Sequence, residues 1–221
     1  MENININPVK LYEGCVFAAI VHAVTAGEYP ELNYEHSWDG INYCMNDSQG
    51  CRATITFHPD YIIAVFQDMS KYDFNMDLRM DIQELLTEMP EDILELARAE
   101  ALQYVLEDIN GEIQPVITAA FWGTWEGLSS SQAWVEIWEN GGYIIRNQLL
   151  SHQESLVQWD DYYGLNNEQM NLIESLYERK MQNRSNAIYM SDEEMKYLYG
   201  DIGECIESLQ ELNIYPYDGY K

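Results

Sequence analysis

The sequence predicts an α+β protein in which an antiparallel sheet, built from two hairpin or meander units, packs with helices and precedes a helical C-terminal third. Between residues 34 and 66, short apolar stretches alternate with turn-forming clusters, as in a β-meander. The dipeptide Asn140-Gly141 stands between apolar stretches and favours a type I′ hairpin turn. After residue 160, apolar residues recur at helical spacing. Hydrophobic residues make up 47% of the chain, which is enough for a full core.

The N-terminal third is predicted to hold one helix and a three-stranded meander. The helix, Pro8 to Gly27, is mostly apolar and closes on a glycine. Turn-forming clusters at 46–50 and 58–60 separate the three strands. The strands cover residues 34–45, 51–58 and 61–66.

The faces of the first two strands predict how they pair. With Cys44 opposite Cys51, the bulkier side chains share one face, which we expect to be buried. The other face is mixed and includes Asp39, Tyr43 and Arg52, so it can meet solvent or a partner. The face that we expect to be buried consists of Trp38, Gly40, Asn42, Cys44, Cys51, Ala53, Ile55 and Phe57.

The middle third is predicted to contain two helices and a second hairpin. Residues 69–89 are acidic and rich in methionine, which indicates loop with some helix. Pro90 opens a helix that Asn110-Gly111 ends. A short buried helix is expected within 115–128, an apolar and aromatic stretch. The second hairpin consists of Ala133–Trp138, the Asn140-Gly141 turn and Tyr143–Arg146.

The last third is predicted to be helical. Apolar residues follow one helical stripe within 160–183. Ser191 and Glu194 bound a capping box that opens a final helix. Gly200 and Gly203 interrupt that helix, so they either kink it or admit another backbone.

Charge is the most unusual property of the chain. There are 38 acidic residues against 11 basic ones, which gives a net charge of −27. Such a surface repels nucleic acid and anionic lipid and attracts basic proteins, so we expect no direct nucleic-acid binding and no membrane binding. Solubility or adaptation to a salty habitat explains the charge equally well. The length suits one domain over residues 1–221, with a subdivision near 150–165 as the alternative.

The cysteines and one apolar run bear on location. Four cysteines in 221 residues make no disulfide framework. The run Cys15–Val24 is too short to span a bilayer and follows no basic segment of an export signal. We therefore expect a cytoplasmic protein with reduced thiols. Cys44 and Cys51 could bridge in the predicted register, although two buried thiols are favoured.

No complete catalytic motif is visible. The sequence has no Gly-x-Ser-x-Gly elbow, no glycine-rich phosphate loop and no EF-hand spacing. No cofactor or metal is therefore predicted, and an enzyme is disfavoured. His22 lies in an apolar helix and is predicted to be a satisfied core histidine, whereas His152 is predicted at the surface of a helix start.

Asp39, Arg52 and His58 form a first candidate site, at the first hairpin. A carboxylate, a guanidinium and an imidazole could bind a small ligand or support a metal-dependent enzyme. His36 and His58 lie on opposite faces of the predicted hairpin, which disfavours a metal held by both. A ligand site or enzyme here is the alternative hypothesis.

Aromatic residues form a second candidate site. Two interpretations are open: a core layer, or a partly exposed patch ringed by acids of the kind that anchors protein interfaces. In the predicted hairpin, Trp134 and Trp138 share one face. The candidate residues are Trp122, Trp125, Trp134, Trp138 and Tyr143.

In size, acidity, aromatic content and lack of a catalytic motif, the chain resembles the immunity proteins of bacterial toxin systems, which are small acidic proteins that neutralise basic partners. The resemblance is one of composition. It implies a binding or inhibitory protein that occludes a basic protein partner, with mimicry of nucleic acid as a special case. A third hypothesis is an acidic subunit of a homo-oligomer that associates through the stripe of the final helix.

Overall fold

The structure is a computed structural model, and it describes residues 1–71 and 82–217. Part of the predicted loop at 69–89 and the last residues of the chain lie outside the described residues. The strands are β1 (Glu2–Ile4), β2 (His36–Asp39), β3 (Asn42–Asn46), β4 (Cys51–Phe57), β5 (Ile62–Asp68), β6 (Leu106–Ile109), β7 (Glu112–Pro115), β8 (Ala119–Thr124), β9 (Gly127–Ser130), β10 (Ile188–Met190) and β11 (Ile214–Pro216). The α-helices are α1 (Pro8–Thr25), α2 (Ile82–Leu85), α3 (Glu91–Ala99), α4 (Trp134–Glu139), α5 (His152–Tyr163), α6 (Asn167–Gln182) and α7 (Ile202–Glu211).

The chain forms two compact units. Unit 1 comprises Met1–Tyr12 and Ile41–Leu149, and unit 2 comprises Glu13–Gly40 and Leu150–Lys221. The charged residues of these ranges give −13 for unit 1 and −14 for unit 2, so both units share the acidity. The predicted α+β class is confirmed, with an antiparallel sheet and helices in the C-terminal part. No helix among the described residues is long and apolar enough to cross a membrane.

An antiparallel sheet forms the framework of unit 1. Its strands follow the order β1-β9-β8-β5-β4-β3, in which β3, β4 and β5 are the predicted meander. Strand β5 lies near the middle, and all seven of its residues are buried. Residues of β5 therefore need apolar partners on both faces of the sheet.

Side-chain alternation along β5 and β8 separates the two faces. Ile63 pairs with Trp122, and this pair belongs to an apolar cluster that α2 and α3 complete. Ala64 pairs with Phe121 on the opposite face, where the Phe121 ring lies 6.5 Å from that of Trp134 in α4. The short helix predicted within 115–128 is therefore wrong. The apolar run there is continuous because strand β8 is covered on both faces.

The predicted register of the first hairpin is also wrong. Cys44 pairs with Thr54, which shifts the register by three residues from the predicted Cys44–Cys51 pairing. An odd shift exchanges the faces, so Tyr43 turns inward opposite Ile55 and is fully buried. The predicted strand 34–45 is divided by a turn in which Gly40 has a φ of +60°. All four cysteines are free, and Cys44 and Cys51 are not cross-strand neighbours.

The structure places both Asn-Gly dipeptides in elements other than the predicted ones. Asn110-Gly111 was predicted to end a helix, but it forms the turn of the β6–β7 hairpin, with φ values of +59° and +89°. Asn140-Gly141 was predicted to turn a hairpin, but it follows α4, and Gly141 ends the helix with a φ of +114°. Positive φ serves helix ends and hairpin turns alike, so the dipeptide alone does not distinguish them.

Unit 2 contains the predicted helical C-terminal part, with different boundaries. The predicted helix at 160–183 is two helices, α5 and α6, separated at Gly164, whose φ is +65°. The capping box of Ser191 and Glu194 is present but opens only a 3₁₀ turn, and α7 begins later, behind Asp201.

Another backbone approaches Gly200 closely. This is one of the two alternatives predicted for the glycines near the final helix. Its φ is +69°, and a Cβ at this position would overlap the carbonyl group of Gly27. The Gly27 carbonyl accepts a hydrogen bond of 2.9 Å from the backbone N–H of Asp201. The segment before α7 is thereby held against the end of α1 within unit 2.

We predict that Gly200→Ala destabilises the protein more than Gly164→Ala. Both glycines have positive φ, which costs an alanine about 1–2 kcal/mol, but nothing lies within 4 Å of a Cβ at Gly164. The overlap with Gly27 should cost Gly200→Ala roughly 2 kcal/mol more. Urea denaturation of the two variants measures the difference. Equal losses would show that the approach of Gly27 to Gly200 relaxes without cost.

Candidate functional site

The strongest candidate site is a surface of α4 in unit 1, which we call the tryptophan surface: Trp134, Val135 and Trp138, with the carboxylate of Glu139. Trp134 and Trp138 lie one turn apart, and their ring centroids are separated by 5.9 Å. Trp138 is 36% exposed and Val135 is 60% exposed. Large apolar side chains therefore meet solvent beside the exposed carboxylate of Glu139. Glu136 lies on the opposite side of α4, where its carboxylate accepts from the backbone N–H of Ala133 at 2.8 Å.

Contacts at both ends hold α4 in place. At its start, the side-chain oxygen of Gln132, two residues before the helix, accepts from the backbone N–H of Ala120 in β8 at 3.3 Å. In its middle, Ile137 is fully buried. At its end, the Thr118 hydroxyl donates to the Asn140 carbonyl at 2.6 Å. These contacts fix the helix on the sheet, so the tryptophans are presented from a rigid support.

Gly141 brings the end of α4 close to the sheet. A Cβ at Gly141 would lie 3.2 Å from the Phe66 Cβ and 3.5 Å from the Asp68 Cβ, so a side chain would crowd β5. The positive φ of Gly141 adds a second reason for glycine here. Gly141, which is predicted in a hairpin turn, therefore allows the end of α4 to lie close to the sheet.

Tyr143 lies in a 3₁₀ turn rather than in the predicted strand, and its hydroxyl is next to the buried thiol of Cys51. Burial raises the pKa of Cys51 to about 12, and the carboxylates of Asp47 and Asp68 add to this, against a hydrogen bond with Tyr143. Burial, and then the contact with Cys51, raises the pKa of Tyr143 as well. The thiol stays protonated at neutral pH, which disfavours Cys51 as a nucleophile.

Trp122 and Trp125 lie away from α4. Trp122 is 1% exposed and packs under α3, so its ring has no access to a partner. The Trp125 indole N–H donates to the His58 carbonyl at 3.0 Å, and its ring lies 6.1 Å from that of Phe57. The His58 ring stacks on Tyr61 at 5.8 Å. Trp125 and His58 therefore make aromatic contacts near the C-terminal end of β4, with Phe57 and Tyr61 respectively.

The structure does not bring Arg52 and His58 together. They are six residues apart on one extended segment, which corresponds to roughly 20 Å. The Arg52 guanidinium lies 3.5 Å from the Glu107 carboxylate, and Asp39 is an exposed residue of unit 2. Within residues 1–71 and 82–217, no group of three or more His, Cys, Asp or Glu side chains is arranged to hold a metal ion.

His22 and His36 lie side by side inside unit 2, with ring centroids 5.2 Å apart. His22 Nε2 lies 3.2 Å from the Asn33 carbonyl and Nδ1 lies 3.0 Å from the Tyr163 hydroxyl. Because a carbonyl only accepts, Nε2 carries the proton and Nδ1 accepts from Tyr163. Burial lowers the pKa of His22 to about 4. Burial, and then the neighbouring His22, lowers the pKa of His36 well below its ordinary value. The prediction of His22 as a satisfied core histidine is confirmed.

His152 starts α5, as predicted, but its ring is engaged rather than simply exposed. It lies 2.8 Å from the Glu174 carboxylate and stacks on Tyr177 at 4.8 Å. The ring of Phe17 lies 4.3 Å away. His152 therefore joins α5 to α6 and α1 within unit 2.

The strand predicted over Ala133–Trp138 places Val135 on the face opposite the tryptophans and ends before Glu139, so sequence reasoning leaves both residues out of the site. Strand alternation and helical spacing both place Trp134 and Trp138 on one side, so these two residues do not distinguish the alternatives. In the helix, Val135 is three residues before Trp138 and four before Glu139, which makes the three side chains neighbours.

We predict that protonation of His22 destabilises the fold at acid pH. Its pKa is lower in the folded state than the ordinary value of 6.5, so the unfolded state binds more protons between pH 6.5 and 4. Stability should fall by about 3 kcal/mol across this window as pH decreases. Replacing His22 with Gln, which can donate to Asn33 and accept from Tyr163, should flatten this part of the curve. Urea denaturation at several pH values measures it, and parallel curves for both proteins would contradict the prediction.

Comparison of the chain with family models, with curated proteins and with solved structures finds no match. The function is therefore inferred from the residues of the chain and their geometry.

Proposed function

We propose that the protein binds a basic protein partner through the tryptophan surface and occludes the partner's functional site. One observation carries this proposal: α4 presents Trp138 and Val135 to solvent, on a rigid support, next to the carboxylate of Glu139, in a chain with a net charge of −27. Tryptophan anchors surrounded by polar groups are typical of the energetic centre of a protein interface.

The apolar part of the surface supplies affinity. Covering the exposed parts of Trp138 and Val135 removes on the order of 150 Å² of apolar surface from water, which corresponds to about 4 kcal/mol before the costs of association. Because α4 is held at both ends, little of this is lost to ordering the surface on binding. The indole faces also suit stacking with Arg side chains of the partner.

The carboxylates supply attraction and selectivity. Glu139 stands beside Val135 and Trp138, and both units add to a long-range negative potential. A basic partner is steered towards such a surface, and acidic proteins and nucleic acids are repelled. A partner that itself binds an anionic substrate would have a complementary positive site. Occlusion of that site is the inhibitory mechanism of the proposal, and it agrees with the resemblance to immunity proteins.

We predict that Trp138→Ala weakens binding of the partner by tenfold or more, because truncating a central anchor typically costs about 2 kcal/mol. The partner is first isolated from cells of the source organism on immobilised protein at low salt. Its affinity for purified variants is then measured by calorimetry. Val135→Ala should weaken binding as well, and its matched control is Val157→Ala on α5, the same change at a side chain of similar exposure, 57% against 60%.

Urea denaturation of the three variants checks that they remain folded. Equal affinities of wild type, Trp138→Ala and Val157→Ala would remove the tryptophan surface from the proposal. A stable homo-oligomer in light scattering that Trp138→Ala dissociates would assign the surface to self-association instead.

A further inference from the structure

A pocket opens on the other face of the sheet in unit 1. It has a volume of about 420 Å³, which lies within the range of small-molecule sites. Apolar side chains from α2, α3 and the segment after α3 line it, among them Leu86, Met89, Leu94 and Leu102. It is distinct from the tryptophan surface, because α3 and α4 cover opposite faces of β5 and β8.

The floor of the pocket is part of the core. Leu86, Met89 and Leu102 are each at least nine-tenths buried and belong to the cluster that contains Trp122. Their positions are therefore set by packing against the sheet, and the pocket does not depend on exposed side chains for its shape. An apolar group of a ligand would meet a preformed, rigid surface.

The mouth of the pocket carries an ion pair. Glu91 and Arg98 both line the pocket, and the Arg98 guanidinium lies 3.6 Å from the Glu91 carboxylate. Their side chains are 74% and 59% exposed, and exposed pairs of this kind are weak. A charged group on a ligand can therefore replace either partner at little cost.

The charges around the mouth favour a cation. Among the described residues that line the pocket, Arg98 is the only base. The helices α2 and α3 and the residues between them carry further acids against that one base. An anion at Arg98 would sit among these carboxylates, whereas an ammonium at Glu91 would be attracted by all of them. These additional acids are Glu84, Asp92 and Glu95, whereas the carboxylate of Glu88 is already paired with the N-terminal ammonium group of Met1 at 2.7 Å.

We propose that this pocket binds a small cationic amphiphile. Its apolar body lies against Leu86, Leu94 and Leu102, and its ammonium group takes the place of Arg98 at the Glu91 carboxylate. This binding goes beyond the proposed function and is independent of it, since it uses other residues on another face of the sheet.

Three probes with one octyl chain and different head groups test the proposal: octylamine, octanol and octanoate. Calorimetry at pH 7 and low salt should give binding of octylamine that is at least tenfold tighter than that of octanoate, with octanol between them. Glu91→Gln should reduce octylamine binding to the level of octanol, and Arg98→Gln should tighten it by removing the competing cation. Glu95→Gln is the matched control, because Glu95 lies on α3 but does not line the pocket.

Trp138→Ala should leave octylamine binding unchanged, which separates this site from the tryptophan surface. The proposal is overturned if octanoate binds as tightly as octylamine, if Glu91→Gln and Glu95→Gln behave alike, or if octylamine does not bind at millimolar concentration. Urea denaturation of each variant confirms that it is folded before its binding is compared.

Discussion

The burial of strand β5 on both faces is the constraint on which the structure of unit 1 depends. None of its seven residues is exposed, so each side of the strand must be covered by a different set of elements. Alternation sends Ile63 and its partner Trp122 towards α2 and α3, and Phe121 towards α4. One pattern of side chains thus places a pocket on one face of the sheet and two tryptophans on the other.

In the described part of the chain, the buried histidines and thiols are held in their uncharged forms. His22 and His36 are neutral and buried, and burial raises the pKa of the thiols of Cys15, Cys51 and Cys205. Groups in such surroundings resist ionisation and have no access to a substrate from solution. Carboxylates and aromatic rings dominate the surface instead, and these groups are suited to recognition.

Much of the fold could be predicted from the sequence, because hydrophobic pattern and turn residues act locally. The meander of β3, β4 and β5, the first helix and the helical C-terminal part follow from such patterns. The errors arose where one local signal has two structural outcomes. An Asn-Gly dipeptide ends a helix or turns a hairpin, and only packing of the neighbouring segment decides which. The predicted register of the first hairpin was wrong because Asn46 pairs with Arg52, so the loop is centred on Gln49 and not midway between Cys44 and Cys51.

The candidate site, too, could be predicted only in part from local sequence patterns. Trp134 and Trp138 could be singled out as a pair because they share a side in a strand and in a helix alike. Their exposure, and the burial of Trp122, depend on which face of β8 each element covers, and that is a property of the whole sheet. The pocket beside α3 was not predictable for the same reason, since it is formed by residues from separate elements.

The association rate of the purified partner, measured by stopped flow at 0.1–0.5 M salt, tests most directly whether the acids next to the tryptophans guide binding. Glu139→Lys and the exposed Glu178→Lys of α6 change the net charge by the same amount, but only Glu139 lies beside Trp138. If the tryptophan surface is the binding site, Glu139→Lys slows association severalfold more than Glu178→Lys, and the difference shrinks as salt increases. Equal effects of the two substitutions would show that binding occurs elsewhere and that the acidity acts only through the net charge.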